Sequence, residues 1–340
     1  MELGIAFKGD LSMERTVAIA QRAEAAGFDY VWFFDSHVLW SDPYTRMAVC
    51  MDRTERVRFG PLVTNPKARE WSVAGSIYAT LSEISGGRFD LAVGRGDSSM
   101  RVMGRTPATL DKTVEFCRAM QAFVRGDTVE YADSLVPVYL EWAPGHELPI
   151  WFAAYGPKAL ATAGRHADGL VVQLADPGLT RWFAEQSLAA GREAGRDMSG
   201  YRVLACAPVW VGDRAEGIER TRWFPALVGN HVADIVEQYG KDTDLVPRSL
   251  TEYIEGRRGV GADEGYDYRQ HVEVESDNTY YVGDDVTESF CIIGPVEQHV
   301  AKLRALEEAG ATQFAIYLTG GDEERIVEEY ARHVIPALRG

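Results

Sequence analysis

The chain has 340 residues, 46% of them hydrophobic, which is ample for a large core and leaves room for two domains or one large barrel. A net charge of -16 with no basic block argues against a nucleic-acid partner, and the acidity reads as solubility. Cys50, Cys117, Cys206 and Cys291 lack CxxC or zinc spacing, no signal peptide opens the chain, and no apolar run approaches the roughly 18 residues of a membrane span, so a soluble, cytoplasmic protein is expected.

In chain order, short apolar runs alternate with longer amphipathic ones. "LGIAF" (3–7) is strand-like, and "SMERTVAIAQRAEAAG" predicts a helix capped by Ser12 and stopped by Gly27. "DYVWFF" (29–34) and "VRFGPLV" (57–63) follow as strands, the second leading into the helix "EWSVAGSIYATLSEIS". "RFDLAVG" (88–94) is the fourth strand, with "PATLDKTVEFCRAMQAFVRG" as its helix, and 127–148 reads as a hairpin or excursion. "PIWFAA" (149–154) with "PKALATAGRHA", "DGLVVQL" (168–174) with a helix ending at Gly195, "YRVLACAPVWVG" (201–212) and "TQFAIYL" (312–318) with "DEERIVEEYARHVIPAL" complete eight units.

Strands that are apolar on both faces, each followed by a helix, imply a parallel sheet covered outside, and eight of them imply a closed (β/α)8 TIM barrel. The rival, an open doubly wound sheet, lacks its nucleotide fingerprint: "GRGDSS" supplies only Gly94 and Gly96. About a hundred residues, 213–311, separate the seventh and eighth strands, the largest insertion. A single domain, 1–340, is expected, with about 213–290 as an active-site cover.

Barrel sites lie at the C-terminal ends of the strands, which selects candidates by position. These are Lys8 and Asp10 after strand one, Asp35, Ser36, His37 and Trp40 after strand two, and Val63, Thr64 and Asn65 after strand three. Arg95, Asp97 and Ser98 follow strand four, Tyr155, Gly156 and Lys158 follow strand five, and Gln173 follows strand six. Gly156 and Pro157 open a helix whose free N–H groups would face an anion, with Lys158 adding charge. The acids lack the paired histidines of a metal barrel, so no metal is expected. The pattern suits an anionic, phosphate-bearing cofactor in a largely apolar barrel mouth.

"TNPKAREWSVAGSIYATLSEISGGRFDLAVGRGD" (64–97), "PIWFAAYGPKALATAGRHADGLVVQ" (149–173) and "FCIIGPVEQHVAKLRALEEAGATQFAIYL" (290–318) resemble the luciferase-like flavin and deazaflavin oxidoreductases. "TNP", "GPK" and "DSH" are most similar to the branch that uses the deazaflavin coenzyme F420, typified by methylenetetrahydromethanopterin reductase and an F420-linked glucose-6-phosphate dehydrogenase. The resemblance implies a barrel, usually homodimeric, with a non-proline cis peptide backing the cofactor ring at Pro61–Leu62 or Leu62–Val63. It implies a cofactor cradle of His37, Leu62, Val63, Thr64, Asn65, Gly94, Arg95, Gly96, Ala154, Tyr155, Gly156, Pro157, Lys158 and Gln173. His37 would act in the hydride step, Asp35 would orient its imidazole, and Trp40, Lys8 and His231 would line the substrate pocket with Tyr266, Tyr268, Tyr280 and Tyr281. Asp97 stands where the glucose-6-phosphate enzymes carry a catalytic glutamate, and their sugar-phosphate-binding basic residues have no clear match.

The leading expectation is therefore an oxidoreductase that moves hydride between F420 and a small organic substrate. The alternative is an FMNH2-dependent monooxygenase with FMN in the same mouth. A non-catalytic flavin-binding protein and a metal-dependent barrel hydrolase rank behind.

Overall fold

The computed structural model describes residues 1–130, 135–229, 266–270, 272–279 and 282–340. Short runs buried on both faces form eight parallel strands: β1 (Glu2–Phe7), β2 (Tyr30–Phe33), β3 (Arg58–Pro61), β4 (Leu91–Val93), β5 (Ile150–Ala153), β6 (Gly169–Val172), β7 (Arg202–Ala207) and, after two outlying strands β8 (Val209–Val211) and β9 (Ile292–Gly294), β10 (Gln313–Leu318). The sheet order is β3-β2-β1-β10-β7-β6-β5-β4. Its two ends meet: Phe59 N–H donates to Arg88 O (2.8 Å), Asp90 N–H to Phe59 O (2.8 Å), Thr64 N–H to Ala92 O (2.9 Å) and Gly94 N–H to Thr64 O (2.8 Å). The expected (β/α)8 barrel is what these residues build.

The helices take the positions that their caps mark. Ser12 accepts from Arg15 N–H and Gly27 (φ 89°) ends α1 (Met13–Ala26), while Glu70 caps α3 (Trp71–Ser85) and Thr109 caps α5 (Leu110–Arg125). Two helices were not foreseen, α2 (Pro43–Asp52) and the short α4 (Asp97–Arg101). The helices α6 (Pro157–His166) and α7 (Pro177–Glu193) pack so closely that a Cβ on Gly164 would run into the Ser187 carbonyl. Val129 and Val138 pair antiparallel in the excursion at 127–148.

Three expectations are corrected. The single strand expected over 201–212 breaks at Pro208: β7 stays in the barrel, and β8 leaves it to pair with β9. Proline has no N–H to continue a ladder, and here its carbonyl accepts from Ile292. The connection 213–311, for which the sequence pattern assigns no strand or helix, holds β9, α8 (Arg214–Thr221), α9 (Asp284–Phe290) and α10 (Val296–Glu308) among its described residues. The last helix is interrupted: α11 (Glu323–Glu329) and α12 (Ile335–Arg339) flank a π turn, Tyr330–Val334.

The bottom of the barrel, at the N-terminal ends of the strands, is closed by a polar plug. Asp90, fully buried, accepts from Arg58 Nε (2.9 Å), Trp151 Nε1 (2.8 Å) and Tyr30 Oη (3.3 Å), with Arg202 stacked on Trp151. This end carries stability; the opposite end carries the site.

Candidate active site

One cleft opens at the C-terminal ends of the strands, with about 1350 Å³ of empty space including its mouth. Phe34, Asp35, Ser36 and Trp40 contribute from the end of β2, and Leu62 and Val63 from that of β3. Gly94–Ser99 follow β4, Ala153–Gly156 with Lys158 and Ala159 follow β5, and Gln173, Tyr317, Leu227 and Val272 complete the lining. The peptide between Leu62 and Val63 is cis, one of the two positions that the resemblance implied.

Most predicted residues are thus brought together, in two layers. Leu62, Val63, Gly94, Arg95, Gly96, Asp97, Ala154, Tyr155, Gly156, Lys158 and Gln173 face the cleft, with Asp35 and Trp40. Thr64, Asn65 and Pro157 do not line it. Thr64 and Asn65 are buried behind the wall, where Asn65 donates to Ser99 Oγ (2.9 Å) and accepts from Lys67 N–H (3.0 Å). Gly96 has φ 91°, and a Cβ there would meet the Asn65 side chain at 2.7 Å, so both conformation and space require glycine.

The floor is a directed hydrogen-bond chain. Tyr155 Oη donates to Gln173 Oε1 (2.7 Å), Gln173 Nε2 donates to Tyr317 Oη (2.7 Å), and Tyr317 Oη lies 3.3 Å from Cys206 Sγ. Because the Cys206 thiol donates to Val172 O (3.5 Å), its sulfur is left to accept the Tyr317 proton. Burial pushes both tyrosine hydroxyls well above their usual range and the Cys206 thiol up to about 12, so every member keeps its proton.

At the far end, α6 begins without a side-chain cap, with Gly156 at its N-cap and Pro157 at its first turn. The N–H groups of its first turn and the exposed Lys158 therefore face the cleft end, the arrangement that binds an anion. Asp97 opens α4, is 38% exposed, and pairs with Arg101 (3.4 Å). Arg95 Nε is held by Ala108 O (2.7 Å).

Three residues sit elsewhere than expected. Asp35 does not reach His37: its oxygens accept from Arg69 Nη1 (2.7 Å) and Nη2 (3.0 Å), Tyr44 Oη (2.8 Å) and Thr64 Oγ1 (2.7 Å). His37 lies exposed in the turn that Ser36 O closes on Leu39 N–H (2.8 Å) and Trp40 N–H (3.0 Å), and its ring makes no hydrogen bond to a described residue. The turn is the reason: β2 ends at Phe33 and the chain turns at Ser36, which leaves Asp35 enclosed and His37 exposed. Lys8 is buried but does not line the cleft. It pairs with Asp10 (3.0 Å) and Glu273 (3.1 Å), and although burial disfavours its charge, these two acids together push its pKa up. His231, Tyr280 and Tyr281 lie outside the described residues. Tyr266 and Tyr268 meet edge to face, centroids 5.0 Å apart.

Arg69, Tyr44, Tyr78, Tyr317 and Phe34 escaped the sequence reading. Arg69 stood inside the quoted "TNPKAREW" and Tyr44 inside "SDPYTR", whose Asp42–Pro43 pair is a helix-start signal; Tyr317 is the one hydroxyl in an otherwise apolar strand end.

The whole chain superposes on an F420-dependent secondary alcohol dehydrogenase solved with an F420–acetone adduct, with TM-score 0.76, 22% identity, and 100% and 99% of the two chains covered. The 5,10-methylenetetrahydromethanopterin reductase of Methanolobus tindarius is 31% identical over 345 residues, covering 98% of this chain and all of the relative. The F420-dependent hydroxymycolic acid dehydrogenase of Mycobacterium tuberculosis is 26% identical over 343 residues, covering 96% of this chain and 85% of the relative. With the family model for luciferase-like monooxygenases matching residues 1–313, the chain belongs to that family.

Proposed function

We propose that the protein is an F420-dependent oxidoreductase that moves hydride between the deazaflavin and a small organic substrate. The observation that carries this is the cleft itself, which joins an apolar lining that includes Leu62, Val63, Ala153 and Ala154 to the uncapped start of α6 beside Lys158. That donor set fits a planar ring at one end and a phosphate at the other, a requirement that F420 and FMN share. Full-length similarity to relatives named for F420 favours F420.

Bound there, the deazaflavin supplies hydride transfer. The chain's own residues do the rest. Tyr155, Gln173 and Tyr317 offer fixed donors and acceptors on the floor, and the α6 N–H groups with Lys158 hold negative charge at the far end. Phe34, Trp40, Leu227, Val272 and the Tyr317 ring exclude water and suit a weakly polar substrate. The Asp97 carboxylate lines the cleft and His37 follows the lining residue Ser36 without lining it; we assign to one of these two groups the proton exchange with the substrate oxygen or nitrogen. Residues 213–290 contribute Leu227 and Val272 as the substrate-side cover, and the working unit is the homodimer that the family resemblance implies.

Titration with oxidised and reduced F420 and FMN, followed by fluorescence, tests this reading. Tight binding of F420 alone is expected. Tight binding of FMN alone would transfer the protein to the monooxygenase reading, and binding of neither would sink both.

A further inference from the structure

A buried polar knot that the hydride reading leaves unused is centred on Asp35, at the cleft wall, and extends behind it. Asp35 is 2% exposed and holds four donors: on Oδ2 the Tyr44 hydroxyl (2.8 Å), the Thr64 hydroxyl (2.7 Å) and Arg69 Nη1 (2.7 Å), and on Oδ1 Arg69 Nη2 (3.0 Å). Since the Tyr44 proton goes to Asp35, the Tyr78 hydroxyl, 3.1 Å from Tyr44 Oη, must donate to it. Burial and then Asp35 push Tyr44 well above its usual range and Tyr78 to about 12, so both stay donors. The Arg69 guanidinium also lies over the Tyr44 ring, 4.5 Å from its centroid.

The knot ties three elements to one carboxylate: Tyr44 from α2, Tyr78 from α3, and Thr64 just after Leu62 and Val63. Thr64 is committed three ways. Its hydroxyl binds Asp35, its N–H donates to Ala92 O (2.9 Å), and its carbonyl accepts from Gly94 N–H (2.8 Å). The carboxylate is thus braced, through one hydroxyl, to the β3–β4 seam that carries the apolar wall. Its charge is tolerable at this depth because a bidentate guanidinium meets it.

We propose that Arg69 is a positioning residue that fixes the cofactor-facing wall at Leu62 and Val63 through Asp35 and Thr64, with Asp35 a post and not an acid or base. The inference rests on the F420 reading. Removing the guanidinium leaves a buried carboxylate held by hydroxyls alone, and the knot must open or admit water. The seam then shifts, and the ring loses its wall while Lys158 and α6 remain intact.

Four proteins test this with F420 as the probe: wild type, Arg69→Met, Arg69→Lys and Thr64→Val. The readouts are the F420 dissociation constant, the fluorescence anisotropy of bound F420, and a melting curve as the fold control. Arg69→Met should weaken F420 binding roughly tenfold or more, the scale of a lost charged hydrogen bond, and lower the anisotropy of the bound ring. Arg69→Lys, which restores charge without the fork, should recover part of both, and Thr64→Val should shift both in the same direction by less. A folded Arg69→Met with wild-type affinity and anisotropy overturns the proposal. Should that variant not fold, wild-type values in Thr64→Val overturn it. Failure of the wild type to bind F420 would instead sink the functional reading, and this inference with it.

Discussion

His37 is exposed while Asp35, two positions earlier, is enclosed, so the two side chains do separate work. The exposed imidazole follows the lining residue Ser36 and does not itself line the cleft, so its proposed role in proton exchange needs its own test. General acid–base help is worth roughly a hundredfold to ten-thousandfold, so His37→Ala should cut turnover at least about tenfold while F420 affinity changes little. His37→Asn keeps a donor that does not titrate: recovery of most activity would make the histidine a hydrogen-bond donor, and wild-type turnover in both variants would remove it from the chemistry. Lys158 should make the opposite split, since it lines the cleft beside the uncapped start of α6, where the cofactor phosphate is proposed to sit. Lys158→Ala should weaken F420 binding by about 1–2 kcal/mol, the scale of one charge-assisted contact, and an unchanged dissociation constant at low salt would dismiss it. Strand-end position alone was enough to find Asp97, Tyr155, Lys158 and Gln173, because a barrel gathers those ends at one face. Position does not tell which way a side chain turns at a strand end. That is why Asp35 was matched to the wrong neighbour: its true partner, Arg69, is 34 positions away and no local spacing signals it.

Among the elements, the loop after β1 and the stretch around Val272 and Glu273 meet through the Lys8 side chain. Lys8 Nζ reaches Glu273 Oε1 (3.1 Å) and lies 3.5 Å from Val272 O, and Val272 lines the cleft. Lys8 is therefore a tether for that stretch and not a pocket residue. Glu273 is 49% exposed, so solvent screens the pair and its worth is about 1 kcal/mol or less. Lys8→Met should accordingly raise amide exchange over 272–279 only a few-fold, without lowering the melting temperature appreciably; exchange identical to wild type would mean that the stretch is held by its own packing. The apolar runs made the barrel strands legible, since only buried parallel strands read that way. Pro208 was the visible sign that 201–212 would break, but its consequence, a small β8–β9 sheet beside the barrel, depends on residues more than eighty positions later and has no periodic signature.

Across the whole molecule, a buried histidine ties that small sheet to the C-terminal helical segment, beside Arg325, which donates to Val211 O (3.0 Å). His299 in α10 is fully buried, with Nε2 3.1 Å from Trp210 O in β8 and Nδ1 2.8 Å from Tyr330 Oη in the π turn. A carbonyl only accepts, so Nε2 carries the proton, and Nδ1 takes the Tyr330 hydroxyl, which burial keeps protonated. The neutral ring is thus fully satisfied, and burial pushes its pKa down to about 4, below the 6.5 of an exposed histidine. Between those values the unfolded chain takes up a proton that the folded chain refuses, so stability falls as pH falls. The contribution is whole above about pH 6.5, declines by about 1.4 kcal/mol for each pH unit, and amounts to about 3 kcal/mol lost near pH 4. Denaturant melts from pH 7.5 down to 4.5 should show this slope on top of the carboxylate contributions. His299→Gln, which does not titrate, should be less stable at pH 7.5 yet show a shallower decline on acidification. A variant with the wild-type slope would place the acid sensitivity elsewhere and leave His299 as a packing residue only. The expected result would instead make one neutral imidazole the acid-labile link between the C-terminal helical segment and the outlying sheet.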